Sequence, residues 1–280
     1  MPQIKARLNA FRLASDSWRE RFPGLLALTL AVVITLFLVI PFIALIWRAA
    51  TLEGDVSAGE LSIFSAVMLS LGTTAVTVIL TILLGTPLAY FLARYHFPFK
   101  RLLTVFIELP IVMPPVVAGL ALLSAFGRRG LIGSTLADLN ITITFTVTAV
   151  ILAQLFVSSP FYIRAAQSRF ESLPREYEDA AAVDGASPWM IFWRVMLPQS
   201  GRALLAGLIL SWARALGEFG ATILFAGNLQ GRTQTMPLLV YGALERNLRV
   251  TFITALILLG LAVLAFTLTR WLAGVDKNDD

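Results

Sequence analysis

The sequence has no cysteine, one histidine and only three lysines. Without cysteine the chain forms no disulfide bond and no thiolate metal site, and one histidine is too few for a histidine cluster that holds zinc. None of the lysines follows a glycine, which excludes the phosphate-binding loop that ends in Gly-Lys-Ser or Gly-Lys-Thr. The composition therefore predicts no metal, no cofactor and no ATP site of this kind in the chain itself.

Charged residues are also scarce, at 14% of the chain, whereas hydrophobic residues reach 58% and the mean hydropathy is +0.80. Soluble domains carry roughly 25% charged residues, so the composition predicts an integral membrane protein in contact with the lipid bilayer. A helix needs about 20 apolar residues to cross the hydrocarbon layer. Six such runs predict an all-helical fold in a single transmembrane domain (residues 1–280), with spans at 22–47, 63–93, 102–126, 141–163, 204–226 and 251–272.

Lysine and arginine are distributed unevenly between the two sides of the predicted bundle. Fifteen of the 22 lie on the side of the two termini and six on the opposite side, while Arg214 falls inside the fifth span. Basic residues accumulate in cytoplasmic segments, so both termini are predicted to lie in the cytoplasm. The same distribution accounts for the net charge of +5. Because no basic helix is interleaved with base-stacking aromatic residues, nucleic acid is not an expected partner.

The predicted cytoplasmic segment 172–198, between the fourth and fifth spans, carries the start and stop signals of two short helices. Ser172 is a candidate cap for the first helix, and Gly185 is placed to end it. Ser187 repeats the capping signal for a second helix, which we expect Pro198 to stop. The pattern predicts a helix, a glycine turn and a second helix.

Two interpretations of this segment remain open on periodicity alone. The first helix has almost no side-chain bulk at Ala180, Ala181 and Ala182, which suits docking into a groove of another protein. Alternatively, Trp189 and Trp193 favour an amphipathic helix that lies on the lipid headgroups. The first interpretation implies a protein partner, and the second implies only the membrane.

A spaced motif in the segment resembles the signature of one transporter family. The pattern EAA-x3-G-x9-I-x-LP marks importer-type ABC transporter permeases. This chain matches its spacing throughout, with aspartate in place of the glutamate and valine in place of the isoleucine. The matching residues are Asp179, Ala180, Ala181, Gly185, Val195, Leu197 and Pro198. The resemblance implies a coupling helix that inserts into a cleft on an ATP-binding subunit, with residues 179–185 as the docking surface.

Prolines and charges within the predicted spans mark candidates for the pore or gate. Pro114 and Pro115 lie inside the third span, where proline removes a helical hydrogen bond and kinks or breaks the helix. Exposed backbone at membrane depth is tolerated against protein or a water-filled path, so this span is expected to line the pore, unless the kink serves packing alone. Arg214 and Glu218 lie four residues apart on one predicted helical face of the fifth span. Either the two form an ion pair that fastens or gates the helix, or Arg214 holds a passing anion.

Hydroxyl groups within the spans are candidate ligands for such an anion. Ser158, Ser159 and Thr222 can donate hydrogen bonds to an oxyanion. Hydroxyl groups in membrane helices also commonly bond neighbouring helices. Both roles therefore stay open for these residues.

Three further stretches, LPIVMPPVVAG, ARALGEFGATILFAGN and GRTQTMPLLVY, resemble permeases of molybdate and tungstate ABC importers, within a wider group that includes sulfate and thiosulfate permeases. Phe219 and Ala221 in GEFGAT are more similar to the molybdate branch. The resemblance implies an importer-type fold in a bacterial or archaeal cytoplasmic membrane and a pore between two copies of the chain. It also implies an ATPase dimer that uses ATP with magnesium, and an extracytoplasmic oxyanion-binding protein.

Three other functions differ from this one in what they require of the sequence. A sulfate or thiosulfate importer is the alternative within the same group of permeases. A passive anion channel would have no use for the docking loop. A membrane-embedded enzyme would need a catalytic cluster of side chains, and the acidic residues here are scattered in loops.

Overall fold

The structure, a computed structural model, describes residues 2–53 and 57–274. All regular elements in these two ranges are helices, which confirms the fold class predicted from composition. The chain divides into two compact units, Met1–Leu52 and Glu53–Asp280. The first unit holds helix α1 and the second holds the other helices.

The α-helices of the described ranges are α1 (Pro2–Thr51), α2 (Ser57–Arg94), α3 (Lys100–Val112), α4 (Pro115–Phe126), α5 (Gly133–Asp138), α6 (Val147–Ser172), α7 (Glu176–Val183), α8 (Pro188–Ile191), α9 (Leu197–Leu216), α10 (Gly220–Phe225), α11 (Met236–Ala243) and α12 (Leu248–Gly274). A π-helical turn, Phe192–Met196, joins α8 to α9. Four stretches of these helices are long and apolar enough to cross a membrane: Leu26–Thr51, Ser62–Arg94, Val147–Ser172 and Leu248–Leu268.

The predicted third and fifth spans are each divided into two helices. The third consists of α3 and α4, which meet at Met113 and Pro114, and the fifth consists of α9 and α10, separated by residues 217–219. Proline causes the first interruption because it lacks the N–H that a helix needs, and Gly217 occupies the C-cap of α9 at the second. Both interruptions fall in segments that are apolar enough to predict one continuous membrane span from the sequence.

Helix α6 forms the centre of the second unit, where it packs along both α2 and α9. Its buried face includes the small residues Ala149, Ala153 and Ala166, each of which is 0% exposed. Small side chains let helices approach closely in a membrane, where van der Waals packing holds the helices together. Polar groups are bonded across the same seam, as between the Thr77 hydroxyl and Gln154 Oε1 at 3.2 Å. The core of the second unit therefore lies along α6.

The loop between α6 and α9 differs from its prediction at both ends. Ser172 is the last residue of α6, and its hydroxyl donates to the Arg169 carbonyl at 2.8 Å, so it does not cap α7. The prediction that Pro198 stops the second helix is also wrong, since the chain stays helical from Pro188 to Leu216. The π-helical turn interrupts the α-helical bonding just before Pro198. The proline then occupies the first turn of α9, where a missing N–H is tolerated.

Candidate functional site

Helix α7 of the predicted coupling loop ends where the sequence predicts, at Gly185. The φ angle of Gly185 is +84°, in the left-handed region that favours glycine. Its N–H donates to the Ala182 carbonyl, and the N–H of Ala186 donates to the Ala181 carbonyl, both at 3.0 Å. These two bonds are the pattern of a Schellman helix end. The turn after α7 is therefore fixed by backbone hydrogen bonds as well as by its glycine.

The residues of the EAA-like motif divide into an exposed group and an anchoring group. The exposed residues of its first half are Asp179, Ala180 and Gly185. The second half attaches the loop, because Val195 and Leu197 are partly buried and pack against the hydrophobic core, as does Ala181 from α7. Pro198 is exposed at the start of α9. The motif thus combines an exposed surface of small residues with its own attachment to the bundle.

A buried ion pair that no sequence pattern indicates anchors the same loop to α2. Arg94 Nε lies 2.5 Å from Glu178 Oε1, and the two side chains are 8% and 19% exposed. Arg94 also donates to the Leu173 carbonyl at 3.0 Å, and the Tyr90 hydroxyl donates to Glu178 Oε2 at 3.1 Å. No local pattern pairs Arg94 with Glu178, since they lie on helices that are distant in the sequence. Removal of either partner would leave a largely buried charge, which is strongly destabilising.

Aromatic rings extend this anchor into the core. The Tyr90 ring lies edge-on to those of Phe170 and Phe192, with centroids 5.6 Å and 5.0 Å away. Phe170 belongs to α6 and Phe192 to the π-helical turn, and both are buried. One cluster of rings therefore connects α2, α6 and the loop.

The second half of the loop carries features of the alternative interpretation as well. Ser187 caps α8 as predicted, because its hydroxyl accepts the Met190 N–H at 3.3 Å. The next exposed aromatic residues are Trp189 and Trp193, at 70% and 49% exposure. Tryptophan is typical of membrane–water interfaces. The loop therefore presents a small-residue surface on α7 and an aromatic surface on α8 and the π-helical turn.

The break in the third span has the geometry that two successive prolines impose. Helix α3 ends at Val112, and Met113 and Pro114 are both extended, with ψ angles of 136° and 131°. Pro115 is the first residue of α4, a position that needs no N–H. Both prolines are exposed. The predicted interruption is confirmed, whereas the role of these prolines in a pore stays a prediction.

Arg214 and Glu218 form an ion pair, although they do not share a helical face. Arg214 Nη1 and Glu218 Oε2 are 2.7 Å apart, and the side chains are 28% and 1% exposed. The predicted shared helix was wrong because α9 ends before Glu218, with Gly217 at its C-cap. The other Glu218 oxygen accepts the Ala221 N–H at 2.8 Å, in the first turn of α10. Glu218 is thus both the counter-ion of Arg214 and a hydrogen-bond acceptor for the next helix.

The two interrupted spans cross at their breaks. A methyl group added at Gly220 would lie 2.7 Å from the Pro115 Cβ, and one added at Gly119 would lie 3.0 Å from the Ala221 Cα. Only glycine allows the backbones of α4 and α10 to approach this closely. The crossing places the proline break beside the segment that carries Glu218, and no sequence pattern predicts this arrangement.

The predicted hydroxyl ligands lie in or near the packed interior. Ser158 and Thr222 are fully buried, and neither hydroxyl has a hydrogen-bond partner among the described residues. Ser159 is half-buried. The Ser158 carbonyl accepts the Ser211 hydroxyl at 2.9 Å, which joins α6 to α9. A role of these hydroxyl groups as oxyanion ligands stays a prediction. Over residues 2–53 and 57–274, no group of three histidine or acidic side chains is arranged to hold a metal ion.

The described residues combine an all-helical fold, two interrupted spans and an exposed loop. A family model described as "Binding-protein-dependent transport system inner membrane component" matches residues 85–274. This range contains both interrupted spans and the coupling loop. The chain belongs to this family.

Individual relatives show which members of the family the chain is similar to. The chain is 43% identical over 204 residues to the molybdenum transport system permease protein ModB of Mycobacterium tuberculosis, an alignment that covers 70% of this chain and 77% of ModB. It is 40% identical over 202 residues to the sulfate transport system permease protein CysW of Synechococcus elongatus, with coverage of 72% and 71%. A crystal structure of a bacterial ABC transporter that imports the acidic polysaccharide alginate has a chain of the same fold. That likeness has a TM-score of 0.68 at 17% identity and covers 92% of this chain and 98% of the other.

These findings establish the class that the motif resemblance implied. The chain is the permease subunit of an ABC importer and an integral protein of the inner membrane. As the membrane component of a transport system, it is not an enzyme.

Proposed function

We propose that the chain is the permease of an ATP-driven importer of molybdate or of the chemically similar tungstate ion. The observation that carries this proposal is the 43% identity with a permease named for molybdenum transport. The residues that resemble the molybdate branch, Phe219 and Ala221, flank Gly220 at the crossing of the two interrupted spans. Ala221 is fully buried there, and the Phe219 ring lies 5.1 Å from that of Tyr241. Both residues therefore lie at the start of α10 rather than on a loop surface.

The translocation pore is proposed to form between two copies of the chain. Interrupted helices at membrane depth are stable only against protein or a water-filled path. In the single chain Pro114 and Pro115 are exposed at such an interruption. A second copy that faces them across a water-filled path satisfies this requirement, and Arg214, Ser158 and Thr222 would then lie behind the wall of the pore.

The coupling loop is the proposed attachment site of an ATPase dimer, which hydrolyses ATP with magnesium. Its exposed part, Asp179 to Gly185, includes Val183 at 87% exposure. Short side chains allow such a helix to fit closely into a cleft. The buried Arg94–Glu178 pair fixes α7 relative to α2. This assignment places both termini in the cytoplasm. An extracytoplasmic oxyanion-binding protein then delivers the anion on the opposite side.

Uptake by the reconstituted importer tests the substrate. The permease is assembled in proteoliposomes with its ATPase and binding protein, and uptake of radioactive molybdate is followed with and without ATP. We expect ATP-dependent uptake that excess tungstate suppresses and that the same excess of sulfate leaves intact. ATP-dependent uptake of sulfate without uptake of molybdate would contradict the proposal.

Sulfate import is the second candidate, favoured by the 40% identity with a sulfate permease. Both anions are tetrahedral dianions, so hydrogen-bond donors in the pore discriminate between them weakly. Selectivity then depends on the binding protein. Calorimetric titration of that partner with molybdate and with sulfate separates the two candidates without any transport assay.

A further inference from the structure

An ion pair away from the crossing and the coupling loop joins α3 to α6. Arg164 Nη1 lies 2.6 Å from Glu108 Oε1. The Arg164 side chain is 65% exposed and that of Glu108 is 34% exposed. By contrast, the pairs at the coupling loop and in the fifth span are largely buried. Of these three ion pairs, this one is the most exposed.

On the proposed topology, the pair lies within the membrane layer, toward the coupling loop. Glu108 is eight residues into α3, which starts at Lys100, and Arg164 is eight residues before the end of α6 at Ser172. At a rise of about 1.5 Å per residue, each side chain starts about 12 Å from the end of its helix. Because α6 leads directly into the coupling loop, both charges lie on the loop side of the membrane centre.

Polar side chains of the two helices lie together at the pair. Charged side chains at this depth are stable against water or protein, not against hydrocarbon. On α3, the residue about 160° around the helix from Glu108 is Phe106, which is 61% exposed and apolar. On α6, the residue one turn from Arg164 on the same face is Ser168, which is exposed and polar. Glu108, Arg164 and Ser168 thus form a polar stripe across two helices.

We infer that Arg164, balanced by Glu108, is an anion-binding station on the coupling-loop side of the translocation path. The inference rests on the proposed function, because a tetrahedral oxyanion is the ligand in question. A guanidinium group presents paired N–H donors that match two oxygens of such an anion. An anion that reaches Arg164 replaces the Glu108 carboxylate, and the carboxylate returns when the anion leaves.

The Glu108 carboxylate lowers the affinity of this station for the anion, and transport requires such weak binding. Conduction needs sites that bind well enough for entry and weakly enough for release. The returning carboxylate competes for the same guanidinium and limits the time that the anion stays. Arg214 is less suited to such an exchange, since Glu218 is 1% exposed and is held by the Ala221 N–H.

A lipid phosphate group shares the chemistry of a free oxyanion, and the position of Ser168 separates the two sources. Since the natural chain has no cysteine, Ser168→Cys is a single reporter, and Phe106→Cys is its control on the apolar face of α3. Both are made in the complete importer without nucleotide. Their reaction rates with a negatively charged and with a positively charged methanethiosulfonate reagent are compared. Thiols react as thiolates, so a cysteine against lipid is modified slowly by either reagent.

We expect Ser168→Cys to react with both reagents and Phe106→Cys to react with neither. Added Arg164→Met should lower the ratio of the anionic to the cationic rate by roughly tenfold, because one positive charge within about 6 Å acts in opposite directions on the two reagents. Glu108→Gln should raise the same ratio. Arg164→Lys keeps the charge and should keep the ratio, which guards against a folding defect in Arg164→Met.

Slow modification of Ser168→Cys, comparable with the control, would mean that the stripe faces lipid or protein and would overturn the inference. An unchanged ratio in a folded Arg164→Met complex would also overturn it. Protection of Ser168→Cys by molybdate supports the station and its substrate together. Protection by sulfate but not by molybdate keeps the station and instead rejects the molybdate assignment, so the two failures are distinguishable.

Discussion

Replacement of Glu218 tests whether the break in the fifth span depends on a charge, on a hydrogen bond, or on both. Glu218→Leu removes the counter-ion of Arg214 and also the acceptor of the Ala221 N–H. Loss of one partner of a buried pair costs about 3–5 kcal/mol; Arg214 is 28% exposed, so we expect about 2–3 kcal/mol here. A buried N–H without an acceptor adds about 1–3 kcal/mol. Glu218→Gln keeps an acceptor oxygen, so it should lower the free energy of unfolding only by the contribution of the lost charge.

The reverse change gives a different magnitude because the two side chains differ in burial. Arg214→Met leaves the Glu218 carboxylate unpaired at 1% exposure, and the full range of about 3–5 kcal/mol applies. The double variant Arg214→Met/Glu218→Gln removes both charges and retains the hydrogen bond to Ala221. We expect its free energy of unfolding to lie within about 1 kcal/mol of that of the natural protein, since replacing both members of a buried pair with uncharged residues often leaves stability unchanged.

The assay is denaturant unfolding of the purified permease in nanodiscs, with ATP-driven uptake measured in parallel. Glu108→Gln is the control for stability only, because removal of one charge from an exposed pair costs about 0–1 kcal/mol. Equal stability of Glu218→Leu and Glu218→Gln would refute the hydrogen-bonding role. A double variant as unstable as Arg214→Met would refute the pairing role. Recovered uptake in the double variant supports a pair that only holds the helices, whereas lost uptake in a stable complex assigns Arg214 to the anion path or gate.

Gly185→Asp should leave the bundle folded and reduce ATPase copurification, because a side chain in the left-handed region costs about 1–2 kcal/mol and adds charge to the docking surface. The control is Gly201→Asp, whose side chain also enters open space but on a regular helix. Gly220→Ala should destabilise the permease by about 1–3 kcal/mol through the clash at the crossing, and an unfolding midpoint equal to that of Gly201→Ala would contradict the tight approach. Single cysteines at Leu131 and Val183, which are 85% and 87% exposed, should label from opposite faces of the membrane, with Val183 reached from the cytoplasm; labelling from one face would reject the proposed orientation.

Signals that act within a few residues predicted the loop and the first break. The left-handed turn at Gly185 and the cap at Ser187 are both properties of the local backbone, and the structure has both. The break at Pro114 follows from a missing N–H, which no tertiary contact can supply. For such features, the residue that is recognised in the sequence is itself the physical cause of the local structure.

Features that depend on distant partners were not predictable in this way. Glu178 lies in the first turn of α7, where acidic residues are favoured, yet it pairs with Arg94 on another helix. Pro198 reads as a stop signal, yet the π-helical turn before it lets the helix continue. The Val195 and Leu197 side chains pack against the core from this same segment, so burial of the helix outweighs the local preference of the proline.

Helix α2 links the coupling loop to the rest of the second unit. Its loop end is held through Arg94, by an ion pair with α7 and a hydrogen bond to the Leu173 carbonyl. From there to its other half, α2 is bonded to the rest of the unit at three levels: Thr86 to the Tyr162 hydroxyl at 2.6 Å, Thr77 to Gln154 at 3.2 Å, and Ser70 to the Met236 N–H at 2.8 Å. From Ser70 to Arg94 the helix rises by about 36 Å, which exceeds the hydrocarbon thickness of roughly 30 Å. Because these contacts reach α6 and α11 as well as the loop, α2 cannot follow the loop without exchanging bonds across the whole membrane. A rigid helix tied at several depths passes on a movement as a shift between discrete arrangements rather than as a gradual bend.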